Sequence, residues 1–303
     1  MISIIVCSKN VTAFNSLSQN IQQTIGAAYE IIRIDNAENS YSICKAYNEG
    51  AANAAFKILC FVHEDIFFKS DNWGTKIIDH FNADKNIGLI GVAGGVYKTK
   101  MASGWWQSEN GWQEHKRMNI IHHSNNSFEK VKHLFVNSLN ETQSQVISID
   151  GVFMCTKKNI WQQNKFDELL LKNFHGYDLD FSLQIFQSKK IVVVYDILIE
   201  HFSGGKMDAQ WMKAIIEIHK KWKNKLPLIV NNYKVNSQVY EDGWKRFRKN
   251  MSLFFGDSSN ILTIIRWYTS LFFLLDKKPA REKLAVDYFK NLYGIIKKKL
   301  ASK

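Results

Sequence analysis

FKILCFVHEDIFF, residues 56–68, is the stretch of this chain that most constrains its fold. It runs through an apolar segment, reaches His63, Glu64 and Asp65 in succession, and then returns to apolar residues. Three ionisable groups at the end of a buried strand are costly unless water, an opposite charge or a cation compensates for their desolvation. The stretch therefore predicts a buried strand that ends at a functional edge of a sheet.

The residues around this stretch alternate between short β-rich runs and amphipathic helical runs. We predict strands at 2–8, 29–36, 56–65 and 87–95, and helices at 13–25, 42–55 and 72–82. This order favours an α/β fold with a mostly parallel central sheet, right-handed crossovers and flanking helices. Ligands bind such sheets at the carboxyl ends of the strands, which places Ser8, Asp35 and residues 63–65 along one crevice.

The pattern changes after residue 96. Residues 97–145 have no clear period and predict a long loop or an irregular hairpin beside the substrate site. Its tryptophans, Trp105, Trp106 and Trp112, either stack on the apolar face of a ligand or pack as core under the loop. We further predict a strand, a turn and a strand at 146–158, a loop and helix at 166–189, and a strand and turn at 191–205.

The basic residues are concentrated in the last third of the 303-residue chain. Residues 213–303 carry 20 Lys and Arg against 7 Asp and Glu, a net charge of +13, whereas residues 1–212 have a net charge of −1. We predict a catalytic domain at 1–208 and a basic, mostly helical region at 209–303. The segments WKRFRKNMSLFF (244–255) and GIIKKKLASK (294–303) suit either an interfacial helix on an anionic membrane or a helical surface facing water. We expect no nucleic-acid partner, and the oligomeric state does not follow from the sequence.

Cysteine usage and hydropathy bear on the compartment. The cysteines are Cys7, Cys44, Cys60 and Cys155. They are far apart and form no CxxC pair, so neither a zinc site nor a disulfide framework is suggested, and a reducing cytoplasm fits best. The N-terminus does not follow the pattern of a signal peptide, and the apolar segment 261–275 is too short to cross a bilayer and contains Arg266. We expect a cytoplasmic protein. The basic region leaves open the alternative that it also contacts the inner face of the cytoplasmic membrane.

Acidic and imidazole side chains recur at the predicted edge of the sheet. Asp65 ends a strand, Asp178 and Asp180 open a helix, and His201 follows another strand. A carboxylate with a histidine suits Mn²⁺ or Mg²⁺, particularly where the phosphate oxygens of a ligand complete the coordination shell. The alternative is that Asp178 and Asp180 only cap their helix.

The order of these segments resembles a known family. ISIIVCSKN, EIIRIDNAENS, AYNEGAANAAFKILCFVHEDI, DGVFMCTKK, HGYDLDFSLQ and EHFSGG follow one another as in the family 2 glycosyltransferases of GT-A fold. The chain is most similar to a bacterial branch in which the Asp-x-Asp metal motif is written His-x-Asp. The resemblance covers residues 1–206, and the order and spacing of the segments are more specific than any single motif.

The resemblance implies a site for a nucleotide-sugar donor. Asp35 would accept a hydrogen bond from the base, most often uracil, with Ser8 close by. Lys45 and Asn48 would lie near the nucleotide or hold the loops around it. Glu64 would either contact the donor or be the solvated middle residue of the motif.

The resemblance also implies a metal site and a general base. Asp65 and His201 would bind the Mn²⁺ or Mg²⁺ that bridges the donor diphosphate, and His63 stands at the first acidic position of the motif. Asp178 would be the base that takes the proton from the acceptor hydroxyl. Because Tyr177 stands where many relatives have Glu before the base, Asp180 is the alternative.

The activity implied is inverting transfer of a single sugar, from a UDP-sugar to a hydroxyl of a glycan or lipid-linked acceptor in bacterial surface polysaccharide assembly. The Gln-x-x-Arg-Trp motif of processive synthases is absent, and IHKKW at 218–222 lacks its Gln. The alternatives are a sugar nucleotidyltransferase, although CSKNVTAF is poor in Gly and basic residues, and a catalytically degenerate binding protein. A dinucleotide dehydrogenase is disfavoured because no GxGxxG follows the first strand.

Overall fold

Apolar runs bounded by polar turns form the strands and helices of this protein. The computed structural model describes residues 1–106, 115–123, 131–203, 207–231 and 233, with scattered helical residues between 282 and 297. The strands are β1 (Ile2–Ser8), β2 (Tyr29–Asp35), β3 (Ile58–Val62), β4 (Ile66–Phe68), β5 (Ile87–Gly91), β6 (Ala93–Gly95), β7 (Tyr97–Lys98), β8 (Lys116–His123), β9 (Val131–Val136), β10 (Gln143–Val146), β11 (Ser148–Ile149), β12 (Phe153–Lys157), β13 (Lys190–Val194), β14 (Ile199–His201) and β15 (Leu228–Ile229). The helices are α1 (Val11–Thr24), α2 (Ile43–Asn53), α3 (Trp73–Ala83), α4 (Lys158–Gln163), α5 (Tyr177–Phe186) and α6 (Ala209–Trp222).

The main sheet has seven strands in the order β10-β13-β5-β12-β3-β1-β2. The pairs β1–β2, β1–β3 and β5–β13 are parallel, whereas β12 runs antiparallel to both β3 and β5, and β10 runs antiparallel to β13. The predicted α/β class with a mostly parallel central sheet is confirmed, since β1, β2, β3, β5 and β13 run in one direction, although β10 and β12 run against them and make the sheet mixed. The physical reason is that β12 follows the turn at Asp150–Gly151 and enters the sheet from its crevice edge.

A second sheet has the order β11-β6-β8-β14-β4, with β9 paired to β8, and its strands β4, β6 and β14 follow β3, β5 and β13 along the chain. The prediction of one strand at 87–95 was therefore wrong, because β5 and β6 belong to different sheets. For residues 97–145 the prediction was a long loop or an irregular hairpin, and the described residues agree with the hairpin. β8 and β9 form an antiparallel pair there, and their neighbours β6 and β14 come from distant parts of the sequence.

Alternating side chains of the main sheet pack into two separate cores. Along β1, Ile4 and Val6 pack on one face with α1 and α3, while Ile5 packs on the other face with α2, α5 and α6. All three side chains have no exposed surface. Period-two alternation of this kind buries both faces of the sheet, and the crevice edge is thus held on a rigid scaffold.

α6 packs in the same core as the sheet. Met212, Ile215 and Ile216 of this helix are buried in the cluster that also contains Tyr177 and Phe181 of α5. Asp208 caps the helix by accepting the backbone N–H groups of Gln210 and Trp211. The division of the chain into two domains at residue 208 stays a prediction.

Two of the four cysteines form a single disulfide, which was not predicted. Cys60 of β3 and Cys155 of β12 lie directly opposite each other in the antiparallel register, with Cα atoms 4.3 Å apart, and their sulfurs are bonded. This pairing could not be predicted from spacing, because 95 positions separate the two residues. Cysteine usage therefore no longer favours a reducing compartment.

No helix among the described residues combines the length and apolar character needed to cross a membrane. The apolar segment 261–275, the basic segment 244–255 and Trp112 lie outside the described residues.

Candidate active site

The first three strands of the fold end at one edge, as predicted. Ser8 and Asp35 are opposite each other at the ends of β1 and β2. Val62, the last residue of β3, pairs with Val6, two residues before Ser8 on β1. His63 follows Val62 directly, so the His-x-Asp motif begins where the buried strand ends.

The second sheet brings His201 to the motif. β4 starts at Ile66, immediately after Asp65, and pairs antiparallel with β14 so that Ile66 lies opposite His201. The backbone N–H of Phe202 donates to the carbonyl oxygen of Asp65 at 3.0 Å, which fixes this register. Two residues 136 positions apart in sequence are thereby neighbours in the site.

His63, Asp65 and His201 form a group that fits a divalent cation. One ligand atom from each residue can be chosen so that all three lie within 4.8 Å of one another. Oδ1 of Asp65 lies 3.5 Å from Nε2 of His201 and 3.9 Å from Nδ1 of His63. Two imidazoles and a carboxylate suit a divalent metal ion, with open positions for the oxygens of a ligand.

The electrostatics of this group favour a charged carboxylate and a neutral imidazole. Burial raises the pKa of Asp65, but the hydrogen bond with His201 and the positive charges of His63 and His201 outweigh it and hold the pKa below its ordinary value. Burial, and then the charge of His201, lower the pKa of His63. Metal ligands must be deprotonated, so both shifts prepare the group for a cation at neutral pH.

Asp178 lies in the first turn of α5. The helix begins after Gly176, whose φ of 78° is in the left-handed region, and a Cβ at this glycine would lie 2.5 Å from Ile218. Oδ1 of Asp178 accepts the backbone N–H of Leu179 at 2.8 Å. Burial, and then the charge of Asp150, raise the pKa of Asp178 to about 7. A carboxyl group with this pKa can take a proton near neutral pH.

Asp180 has a different environment from Asp178. Its side chain is buried, and its two oxygens accept Nε1 of Trp222 at 2.7 Å and Nζ of Lys221 at 2.8 Å. Nε2 of Gln184 donates to it as well, at 2.9 Å. These hydrogen bonds occupy both carboxylate oxygens and join α5 to the end of α6. Asp180 is not among the residues that line the cavity beside Asp178.

The residues predicted to bind the donor are spread along the edge. The hydroxyl of Ser8 is buried and accepts Nε of Arg33, while the same guanidinium pairs with Asp35, whose side chain is 62% exposed. Lys45 places its ammonium over the ring of Tyr41, 5.0 Å from the centroid. Asp35 and Lys45 therefore remain accessible to a ligand.

Asn48 and Glu64 are engaged with backbone groups. The side chain of Asn48 donates to the carbonyl oxygen of Phe166 and accepts its N–H, so that it holds the loop before α5. The carboxylate of Glu64 accepts the N–H groups of Lys9 at 3.1 Å and of Asn10 at 3.0 Å, at the turn between β1 and α1.

Two neighbouring cavities meet at His63 and Tyr177. The larger, of about 480 Å³, has a wall formed by His63, His201, Asp150, Asp178, Trp106 and Trp211, among others. The smaller, of about 350 Å³, is lined by Cys7, Lys9, Tyr47, Glu64 and Asp65, among others. His63, Phe174 and Tyr177 line both cavities. The candidate cation group thus lies between a cleft at the ends of β1 and β3 and a cavity that contains Asp178.

The sequence did not assign a role to three residues that belong to this site. Asp150 follows β11 and accepts Nε1 of Trp105 at 2.8 Å. Tyr177 places its hydroxyl 2.6 Å from Nε2 of His63. The ring of His122, on β8, lies 5.3 Å from that of His201. Only Asp150 had a local signal, an Asp-Gly turn after an apolar run; the other two depend on pairing between distant segments.

Comparisons with known proteins agree with this fold. A search of curated protein sequences found no match. The crystal structure of GalNAc-T7 with UDP, GalNAc and Mn²⁺ aligns with a TM-score of 0.51 and 10% identity, over 74% of this chain and 49% of that chain. S. aureus TarS aligns with a TM-score of 0.53 and 12% identity, over 97% of this chain and 54% of that chain. Its 1–349 fragment gives the same TM-score and identity, over 100% of this chain and 92% of the fragment.

The chain thus spans about half the length of GalNAc-T7 and of the longer TarS chain. At identities of 10% and 12% these likenesses concern the fold, which is that of the GT-A glycosyltransferases. The family model described as "Glycosyltransferase like family" matches residues 3–233, well over half of the chain. The protein therefore belongs to this glycosyltransferase-like family.

Proposed function

We propose that this protein is an inverting, metal-dependent glycosyltransferase that moves one sugar from a UDP-sugar to a hydroxyl of a glycan or lipid-linked acceptor. One observation carries the proposal: a single cavity is lined by Asp178, a carboxyl group with a pKa of about 7, and by His63 and His201 of the candidate cation group. Transfer of a sugar from a diphosphate to a hydroxyl requires a base and a cation beside the same cavity.

The roles in this proposal follow from the chemistry of each group. A divalent cation held by His63, Asp65 and His201 would supply Lewis-acid stabilisation for the negative charge that develops on the leaving diphosphate. Asp178 takes the proton of the attacking hydroxyl. A displacement on the face opposite the leaving group inverts the anomeric centre, so an NMR spectrum of the product with the donor's own configuration would contradict the mechanism.

The nucleotide and the ion are proposed as UDP and Mn²⁺. GalNAc-T7, which shares the fold, was crystallised with UDP, GalNAc and Mn²⁺. The candidate group offers two imidazoles and one carboxylate, and this ligand set fits Mn²⁺ better than Mg²⁺, because Mg²⁺ prefers oxygen ligands alone. Asp35 and Ser8 at the strand ends are proposed to contact the base, and Lys45 to lie near the nucleotide. The cleft beside Asp65 and Lys9 is proposed to take the diphosphate.

Thermal unfolding with nucleotides tests the donor proposal directly. UDP, GDP, CDP and dTDP are each added with and without Mn²⁺, at about a hundredfold above the dissociation constant. A nucleotide that binds only the folded state should then add about 2.7 kcal/mol to the free energy of unfolding. We expect the largest shift for UDP, and only with Mn²⁺; no shift with any of the four would contradict the proposed donor site.

The acceptor is proposed to be a carbohydrate that contacts Trp106. This side chain is partly exposed and lines the larger cavity together with Trp211 and Asp178, whereas Trp105 is buried and donates to Asp150. Aromatic rings present flat apolar surfaces that suit the C–H faces of a sugar. In this proposal Trp106 stacks on the acceptor, whereas Trp105 packs as core.

We expect Trp106→Ala to raise the KM for the acceptor by about tenfold, because one aromatic contact contributes about 1–1.5 kcal/mol. The KM for the donor and the melting temperature should change little. Phe135→Ala is the matched control, since Phe135 is an exposed aromatic residue of β9 that does not line the cavity. Unchanged acceptor kinetics in a folded Trp106→Ala protein would exclude Trp106 from the acceptor site.

The basic C-terminal region is proposed to contact an anionic membrane surface, which suits a cytoplasmic enzyme of surface polysaccharide assembly. Val286, Phe289, Tyr293 and Ile296 are exposed apolar residues at helical spacing. Lys290 and Lys297 are exposed beside them, and residues 213–303 carry a net charge of +13. An apolar stripe flanked by lysines fits the boundary between acyl chains and anionic headgroups.

Vesicle sedimentation tests this membrane proposal. The protein should sediment with vesicles that contain phosphatidylglycerol and much less with phosphatidylcholine alone, and added salt should release it because the attraction is screened. Replacing Phe289 and Tyr293 with Ser should weaken binding to the anionic vesicles, whereas Phe135→Ser should not. Failure of the intact protein to sediment with anionic vesicles would end the proposal.

A further inference from the structure

Tyr177 and His63 are joined by a short hydrogen bond. The hydroxyl of Tyr177 lies 2.6 Å from Nε2 of His63, although 114 positions separate the two residues. His63 and Tyr177 both line the two neighbouring cavities of the candidate site.

The position of the Tyr177 hydroxyl is fixed by packing. The side chain is 6% exposed, and its ring meets that of Tyr47 edge-on at a centroid distance of 5.7 Å. Gly151 leaves the space that the hydroxyl occupies, because a Cβ at this position would lie 2.2 Å from the hydroxyl oxygen. The backbone N–H of His63 in turn donates to the carbonyl oxygen of Val152. Both partners of the bond are thus held by surrounding structure.

This bond determines which nitrogen of His63 can face a cation. Nε2 is occupied by Tyr177, and Nδ1 lies 3.9 Å from Oδ1 of Asp65. Coordination through Nδ1 requires a free lone pair on that atom, so the ring proton must be on Nε2 and must be donated to the phenol oxygen. Hydrogen bonds of this kind set the tautomer and ring orientation of metal-binding histidines.

Tyr177 is also the first residue of α5, directly before Asp178. The hydrogen bond therefore connects the cation group at the end of β3 with the helix turn that contains the proposed base. A carboxylate at position 177 could not accept the side-chain proton of His63 without adding a second negative charge next to Asp178. A neutral phenol accepts this proton without that cost.

We propose that Tyr177 is a positioning residue, which accepts the Nε2 proton of His63 and so directs Nδ1 towards a cation shared with Asp65 and His201. This inference rests on the proposed function, because it assumes that the His63–Asp65–His201 group binds a divalent cation.

Binding of Mn²⁺ to Tyr177→Phe, measured by calorimetry and by the electron paramagnetic resonance of free Mn²⁺, tests the proposal. The substitution keeps the ring and removes only the hydroxyl. We expect binding to weaken by about 10–100-fold, the usual effect of removing a hydrogen-bond partner of a metal ligand. Tyr195→Phe is the matched control: the hydroxyl of Tyr195 donates to Oγ of Ser144 at 2.9 Å, and this residue lines neither cavity of the site.

A double-mutant cycle separates positioning from general damage to the fold. If Tyr177 acts through His63, then Tyr177→Phe combined with His63→Ala should bind Mn²⁺ no more weakly than His63→Ala alone. In the wild-type protein with Mg²⁺, ¹⁵N NMR should find the His63 proton on Nε2. A proton on Nδ1 would overturn the proposal even if the variants failed to fold.

These measurements distinguish a failure of the role proposed for Tyr177 from a failure of the proposed function. Unchanged Mn²⁺ affinity in a folded Tyr177→Phe protein would overturn the role of Tyr177 and leave the proposed glycosyltransferase intact. A wild-type protein that binds neither Mn²⁺ nor Mg²⁺, alone or with UDP, would overturn the cation group, and with it both the role of Tyr177 and the metal dependence of the proposed function.

Discussion

Asp178→Asn is expected to lower kcat by about 10²–10⁴-fold, because the amide has the shape of the carboxylate but takes no proton from the acceptor hydroxyl. Binding of UDP and Mn²⁺ should be retained, since Asp178 is not part of the His63–Asp65–His201 group. Initial rates and nucleotide-induced thermal shifts on the same preparations check the two halves of this expectation.

The pH dependence of kcat/KM is a second test of Asp178 as the base. Burial and the charge of Asp150 raise the pKa of Asp178 to about 7, and a base acts in its deprotonated form. In the wild type, kcat/KM should therefore fall as the pH drops below about 7. In Asp178→Asn this acidic limb should disappear from the residual activity.

As the pH rises towards 7, the free energy of unfolding of the wild type should fall while its activity rises. Because the folded pKa of Asp178 lies above its ordinary value of 3.8, the folded protein binds this proton more tightly than the unfolded chain does. The wild type therefore loses stability as the pH rises from about 4 to about 7. Asp178→Asn removes this loss, so its melting temperature should exceed that of the wild type at pH 8.

Asp180→Asn is the matched control. Asp180 bonds Lys221 and Trp222, so its replacement should lower the free energy of unfolding by about 1.5–3 kcal/mol, the usual contribution of a hydrogen bond to a charged group. The kcat of the folded variant should stay close to the wild-type value. A large loss of kcat in Asp180→Asn at unchanged stability, with Asp178→Asn active, would reverse the assignment of the base.

The second large effect is expected for Asp65→Asn. The substitution removes the one carboxylate of the cation group, so kcat/KM should fall by about 10²–10³-fold as the Lewis-acid contribution of several kcal/mol is lost. The Mn²⁺-dependent part of the UDP thermal shift should disappear. Titration of Mn²⁺ in the presence of UDP measures the loss directly.

Asp35→Asn serves as the control for Asp65→Asn. Its carboxylate is exposed at the same edge but lies outside the cation group, so the variant should weaken UDP binding without changing the Mn²⁺ requirement. If Asp65→Asn instead keeps a full Mn²⁺-dependent shift, the cation is held elsewhere and His63, Asp65 and His201 have only a structural role.

The sequence predicted the part of the fold that depends on local patterns. β1, β2 and β3 and the helices between them follow from apolar runs and their spacing, and parallel pairing then places Ser8, Asp35 and His63 at one edge. The antiparallel insertion of β12 and the second sheet were not predicted. Their strands are short, and their pairing partners come from distant parts of the chain.

The same distinction holds within the site. Asp65 and His201 were recognised from motifs, and the pairing of β4 with β14 accounts for their contact. The different environments of Asp178 and Asp180 could not be predicted, since they lie two residues apart and differ only in what packs against them. The disulfide and the bond between Tyr177 and His63 likewise join residues whose proximity is decided by tertiary structure.

The carboxylate of Glu64 has a consequence for how a donor would be held. It accepts the N–H groups of Lys9 and Asn10, which stand at the start of α1, where many α/β proteins bind the phosphate of a nucleotide. In this protein the chain supplies its own anion to that turn. A diphosphate in the neighbouring cleft would lie near this negative charge, so its own charge would have to be offset by the cation. Under the proposed function, donor affinity and cation concentration are thus thermodynamically linked, and a cell low in divalent cations would hold the enzyme empty.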